Sequence, residues 1–470
     1  MAALRPRPKL MVIGDSLAQG CRSLTVNKVY CTQGWPAVVA SEQGWEFVTP
    51  DFPRPILFDL EAEVRRLDTL GFSLDRLRFQ GFESRFRQNL AEWLTASVES
   101  AHSCFDNLAL SGGLIHDLYT RTAATSAAEI AALTPQGAAS PIPLSAVATL
   151  HIAINGRFTL NPTRAPAFDG FTALDWARER RPERLFVQVG HNHGLYEVGS
   201  RAIAAEIDRG TAAQGTYWEQ WGRLAADLAV LPPEIGLVLV ALLPKVGAVA
   251  NLRARGETRA GGYADTYEPV FAPSTGVLSG DDLAAIDARI RAANDQIRQI
   301  VSDAANRAGT GGRVVFLDMY AQFERNDYKN SLDPARQIDL GEGVIVDNRY
   351  IDSAAQRSNW FHSATRRLVA GGLQSIDGMH PTGCGYALLA SEAMAALGVA
   401  HDRQNLLRRG FACDTLLTQL PGELGILVRL LGVLRDLDRL NQFVGDRQTL
   451  LSEGAHLVDM IRFMRQVFIR

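Results

Sequence analysis

Hydrophobic and polar positions follow two periods along this chain, and their alternation predicts its architecture. Short apolar runs rich in strand-favouring residues lie at Leu10–Ile13, Leu185–Val187, Ile235–Leu243 and Val314–Leu317, with a further strand-like segment at Phe105–Leu110. Several stop at turn residues: Gly14-Asp15-Ser16, Ser111-Gly112-Gly113, Gly190 and Pro244. Ile235–Leu243 carries no charge and suits a central strand covered on both faces. Phe47 and Val48 suggest one more short strand before Pro50, Pro53 and Pro55.

Between these runs the period lengthens to that of a helix. Val38–Ala40 and their neighbours predict a helix ending near Gly44, and Leu57, Leu60, Val64 and Leu67 open a charged stretch read as surface helices. From Asp281 to Ala308, the apolar residues Leu283, Ile286, Ile290, Ile297, Ile300 and Val301 form one stripe, with Ser279 or Asp281 as cap. Residues 120–183 read as an irregular insertion because Pro135, Pro141 and Pro143 interrupt any long helix, and 251–280 as an excursion beyond a central strand. Leucines at three- and four-residue steps over 424–444, and again over 457–468, predict amphipathic helices that suit packing, a second subunit or a membrane surface. Strand and helix in alternation predict a doubly wound α/β fold with a parallel sheet.

Composition narrows the function. With 470 residues and 47% hydrophobic content the chain can bury a large core. A formal charge of −3, with no basic block, disfavours nucleic acid. No run approaches the ~20 consecutive apolar residues of a spanning helix. Five scattered cysteines without a C-x-x-C pair read as free thiols, and with no secretory apolar segment ahead of Lys9 they point to a cytoplasmic protein.

The candidate chemistry sits at the ends of the strand runs. Gly14-Asp15-Ser16-Leu17 follows the first, Gly112 the second, Gly190-His191-Asn192 the third, and Asp377-Gly378-Met379-His380-Pro381 lies near the end of the patterned region. A serine at the carboxyl end of a parallel strand, leading into a helix, lies where open α/β sheets bind ligands and where a developing negative charge is favoured. His191-x-His193 could suggest a metal pair, but no third ligand recommends itself nearby. His151, within His-Ile-Ala-Ile, reads as a packed histidine.

Taken in order, these blocks resemble those of the SGNH, or GDSL, hydrolases over roughly residues 8–398. The resemblance implies a flavodoxin-like three-layer sandwich with a parallel sheet of about five strands. It implies a hydrolase domain over 1–400, with insertions near 50–104, 120–183 and 245–280, and a helical extension over 401–470. It assigns Ser16 as nucleophile, His380 as its base and Asp377 as the carboxylate that orients the imidazole. Ser16, Gly112 and Asn192 become oxyanion donors. His193 departs from the Asp usual at that position. The expected activity is hydrolysis of a carboxylic ester, of a lipid or other hydrophobic kind by the character of the tail, with no metal or organic cofactor. A carbohydrate O-acetyl esterase, a thioesterase and a non-catalytic binding protein on the same fold are the alternatives.

Overall fold

A computed structural model of the chain describes residues 5–69, 76–95, 99–134, 147–193, 214–258, 262–270, 277–356 and 365–420. The amphipathic stretch 424–468 lies outside the described residues. At the centre is a parallel sheet of four strands, β1 (Leu10–Gly14), β2 (Arg184–Gln188), β3 (Leu237–Ala241) and β7 (Val314–Leu317), hydrogen-bonded in that order. Register is even: Leu10 pairs with Arg184, Arg184 with Leu237 and Val238 with Val314.

Residues 106–110 extend this order on the far side of β1. Val12 N–H donates to Asp106 O (2.8 Å), Leu108 N–H to Val12 O (2.8 Å) and Leu110 N–H to Gly14 O (2.9 Å), with Asn107 bridging Val12 in parallel. Numbered along the chain, the five segments therefore lie 2-1-3-4-5. Every residue of β1 is buried. Since alternate side chains point to opposite faces, both faces of the sheet must be covered there. Phe186 stacks on Trp35 at 5.3 Å, one such cover.

The helices after β1 run α1 (Ser16–Gln19), α2 (Lys28–Gln33), α3 (Trp35–Glu42), α4 (Leu60–Thr69) and α5 (Arg76–Thr95). In the 57–100 stretch, expected as surface helices with an apolar face, Leu60, Val64, Leu90 and Trp93 are buried in the main core. Trp93 and Phe158 pack edge to face at 5.9 Å. Phe47 and Val48 form no strand. The Val48 backbone is engaged by another segment, its N–H donating to Asp106 Oδ2 (2.7 Å) and its carbonyl accepting from Asp106 N–H (2.7 Å).

The region read as irregular is largely helical: α6 (Asp117–Thr120), α7 (Ala123–Leu133), α8 (Val147–Leu160) and α9 (Ala173–Arg180). The three prolines all fall in 135–146, between α7 and α8 and outside the described residues, so they separate helices rather than abolish them. The 251–280 excursion is an antiparallel sheet of β4 (Leu252–Thr258), β5 (Ala264–Pro269) and β6 (Leu278–Ser279). The helix Gly280–Arg307 begins as the sequence predicts, with Ser279 Oγ accepting from Asp282 N–H. Among the described residues no helix is long and apolar enough to cross a membrane.

One buried ion network joins the start of the chain to residues beyond the helix Gly383–Ala396. Arg22 reaches Glu61 with Nε and Nη2 (2.8 and 3.0 Å) and Asp414 with Nη1 (3.1 Å), and its guanidinium lies 3.8 Å above the Tyr30 ring. Arg22, Glu61 and Asp414 are all buried. Removing one partner from such a network strands a charge away from water. Arg22→Met should therefore cost roughly 3–5 kcal/mol in urea unfolding. Arg22→Met/Glu61→Gln should be less destabilised than the single variant. An equal loss from both would show that a stranded Glu61 carboxylate does not contribute.

Candidate active site

The Ser16 turn is set by backbone contact with the neighbouring strand. A Cβ on Gly14 would stand 2.1 Å from Gln188 O, so only glycine allows β1 to approach β2 this closely. Asp15 N–H then donates to Gln188 O (3.0 Å), and Asp15 Oδ1 caps α1 by accepting from Leu17 N–H. Ser16 is the first residue of α1 and is 4% exposed. Among the described residues its Oγ makes no hydrogen bond.

The 106–113 segment is fastened to α1. Asn107 Nδ2 donates to Ala18 O (2.9 Å), and Ser111 N–H donates to Gln19 Oε1 (2.8 Å). Gly112 lies at φ +82, where an L side chain is strained, and a Cβ there would meet Ile152 at 3.0 Å. Its N–H has no acceptor among the described residues. Asn192 joins this turn, its Nδ2 donating to Gly113 O (3.0 Å), and its second amide hydrogen has no acceptor among the described residues. Thus the second and third blocks meet where the sequence reading puts the oxyanion donors.

The two histidines beside Asn192 serve different neighbours. His191 Nε2 lies 2.9 Å from Asp15 Oδ1, a buried pair that ties the end of β2 to the Ser16 turn. His193 Nε2 accepts from Ile115 N–H (3.2 Å), and its ring meets Tyr217 edge to face at 5.1 Å. Burial, followed by the nearby His116, lowers the His193 pKa to about 4, so it is a neutral acceptor near pH 7. Among the described residues no group of three or more His, Cys, Asp or Glu side chains is placed to hold a metal ion.

Asp377 and His380 pair across a tight turn. His380 Nδ1 lies 2.8 Å from Asp377 Oδ2, and Asp377 Oδ1 accepts from the Met379 and His380 N–H groups (both 2.8 Å). The last donor comes from the other end of the chain: Leu24 N–H reaches Asp377 Oδ2 at 2.7 Å. Its turn is unusual, because Ser23 (φ +51) and Leu24 (φ +55) are consecutive non-glycine residues in the left-handed region. Ser23 N–H donates to Ser375 Oγ (2.8 Å), and Ser23 Oγ to Glu61 Oε1 (2.8 Å). Sequence inspection gave no sign of this turn.

Burial alone would raise the Asp377 pKa, but His380 and the N–H donors outweigh it and hold the carboxylate low. Burial likewise works to lower His380, and here Cys21 and Asp377 outweigh it and hold the imidazole well above its usual value. Cys21 therefore acts on the ring electrostatically. Cys21 belongs to the Ser16 turn, its N–H donating to Ser16 O (2.9 Å). The Leu24 N–H bond therefore brings the turn after Ser16 against the Asp377–His380 turn, with no hydrogen bond between Ser16 Oγ and the ring among the described residues. Such contacts commonly tighten only once substrate is bound. His151, read as a packed residue, also lies within electrostatic reach of His380, which together with burial lowers its pKa to about 4.

No protein-family model matches the chain, and comparison with curated proteins finds no match.

The His380 environment gives a signed prediction. Because its folded pKa is raised, the group contributes stability that is full below the unfolded value of about 6.5 and lost as pH rises through the folded value. Cys21→Ala removes one of the two raising groups. It should lower the His380 titration midpoint in an NMR titration and reduce the stability gained at acid pH. An unmoved midpoint would remove Cys21 from the imidazole's surroundings.

Proposed function

We propose that this protein is a serine ester hydrolase of the SGNH type, with Ser16 as nucleophile, His380 as general base and Asp377 as the residue that orients it. One observation carries the reading. A buried, fully hydrogen-bonded carboxylate holds His380 by Nδ1 and is itself held, through Leu24 N–H, by the turn that follows Ser16. A purely structural Asp–His turn has no need of that third partner. The 2-1-3-4-5 order of the parallel segments supports a flavodoxin-like sandwich, whose ligands bind at the carboxyl ends of the strands, where Ser16, Gly112 and Asn192 lie.

The reaction is acyl transfer to water. Ser16 Oγ attacks the ester carbonyl as His380 Nε2 accepts its proton, while Asp377 keeps Nδ1 protonated and steadies the imidazolium. The tetrahedral oxyanion rests on Ser16 N–H, Gly112 N–H and the spare amide hydrogen of Asn192. Collapse expels the alcohol, which takes the proton from His380. Water, activated by the same ring, releases the acid. The groups named supply every proton transfer, and no cofactor enters the scheme. The expected leaning toward a hydrophobic ester rests on 424–468, outside the described residues, and no described residue supports it.

A second reading is favoured by the thiol beside His380: Cys21 could serve the same His–Asp pair as nucleophile, attacking an ester or thioester. Its near-complete burial weighs against it.

Ser16→Ala should abolish hydrolysis of 4-nitrophenyl acetate and labelling by a fluorophosphonate, with an unchanged circular dichroism spectrum. Undiminished turnover in that variant, lost instead in Cys21→Ala, would transfer the role to the thiol. Asn192→Ala should reduce kcat by about 10²–10³ with a smaller change in KM. A change in KM alone would make Asn192 a substrate-positioning residue.

A further inference from the structure

A buried cationic cluster that the proposed mechanism does not use sits behind the Asp377–His380 turn. Two lysines belong to it, Lys245 and Lys329, both buried. Lys245 Nζ pairs with the carboxylate of Asp327 (2.9 Å). Lys329, on the short helix Tyr328–Ser331, is spent on the main chain instead: its Nζ donates to Val249 O (2.6 Å) and Leu252 O (2.7 Å). Neighbouring amides clasp the residues just before these. Asn348 Nδ2 donates to Ala248 O (2.9 Å) and Asn330 Nδ2 to Gly247 O (2.9 Å), and both amides also reach Asp327 (2.8 and 2.7 Å). Four carbonyls of the stretch 247–252 thus accept from side chains. A charged amine is costly to bury, and an apolar side chain would fill the same volume without that cost. What the lysine supplies is a pair of donors that fix this stretch in place.

The stretch bears on the Asp377–His380 turn through Asn251, which lies between the two carbonyls that Lys329 holds. Asn251 N–H donates to Gly378 O (2.8 Å). The approach is close: Gly378 has φ +68, and a Cβ there would stand 2.6 Å from Asn251 N. Gly378 O and Met379 N–H are opposite ends of one planar peptide. Met379 N–H is itself a donor to Asp377 Oδ1 (2.8 Å). A hydrogen bond that fixes the carbonyl therefore aims the N–H at the carboxylate. Contacts run without a gap from Lys329 Nζ to the 249–252 backbone, to the Gly378–Met379 peptide, and to the carboxylate that holds His380 Nδ1. The turn is gripped from two sides, by Leu24 N–H at Asp377 and by Asn251 N–H at the next peptide.

Resting on the hydrolase reading above, we propose that Lys329 is a positioning residue of the reaction: it holds the segment whose Asn251 N–H aligns the Gly378–Met379 peptide on Asp377, and so fixes the orientation of the His380 imidazole. It touches no substrate. Its effect belongs to the chemical step, because the groups it steadies act on protons rather than on binding.

The test pairs kinetics on 4-nitrophenyl acetate with an NMR titration of His380. Lys329→Met keeps the length of the side chain and removes its donors. It should lower kcat by about tenfold to a hundredfold, the cost of a misplaced catalytic group, with KM nearly unchanged. The His380 midpoint should fall toward the ordinary value of about 6.5. A role confined to stability would lower the melting temperature and leave the midpoint and the kcat of the folded protein where they were. Lys329→Gln, which keeps N–H donors on a shorter side chain, should retain more of both than the Met variant, and it decides the matter if that variant does not fold. Wild-type kcat and midpoint in either folded variant would overturn the inference while leaving the hydrolase reading intact. Absence of turnover and of fluorophosphonate labelling at Ser16 in the wild-type protein would remove the hydrolase reading and the catalytic part of this inference with it; the midpoint would still report whether Lys329 sets the imidazole.

Discussion

The buried carboxylate of Asp377 is the point on which the geometry of the site depends. It gathers two N–H donors from its own turn, Met379 and His380, one from the imidazole it orients, and one, Leu24 N–H, from 353 residues earlier in the chain. A carboxylate deprived of water is costly unless its lone pairs are matched. Matching them here requires the Ser16 turn and the His380 turn to be in register. The same demand that makes the buried charge tolerable therefore sets the relative position of nucleophile and base.

That contact is backed by a second buried charge network. The left-handed conformations of Ser23 and Leu24 are held from below by Glu61, which accepts from Ser23 Oγ and from Arg22. Arg22 also meets Asp414, whose Oδ2 accepts from Gly383 N–H at the start of the helix that follows His380. Strain in the turn is thus supported at both ends, by α4 and by the segment after the final core helix. Residues 403–418, beyond the region that carries the family resemblance, are structurally part of this arrangement through Asp414.

Charge around the catalytic candidates is also apportioned. Of the histidines near the site, His380 is held toward the cation by Cys21 and Asp377, while His151 and His193 are pushed toward neutrality, first by burial. In the proposed mechanism this leaves His380 as the ring that carries a proton. The His193 ring accepts from Ile115 N–H and so steadies the turn bearing Gly112, giving a role to a residue that departs from the resemblance.

The sequence by itself determined the sheet and the positions of the blocks. Continuous apolar runs such as Leu10–Ile13 and Ile235–Leu243 have few alternatives to a strand buried on both faces, and the turn residues that end them fix where side chains of the site begin. Local pattern also placed the helix Gly280–Arg307 and its Ser279 cap. Only the tertiary structure decided the rest. Phe47 and Val48 have strand propensity, yet the backbone of Val48 pairs with Asp106, a contact no local window contains. Residues 147–160 read as part of an irregular insertion, and only the packing of α8 shows Asn155 buried against Gln19 of α1. The Leu24 N–H bond and the Arg22–Glu61–Asp414 network lay beyond sequence altogether. They join residues far apart in the chain, and their worth comes from shared burial that exists only after folding.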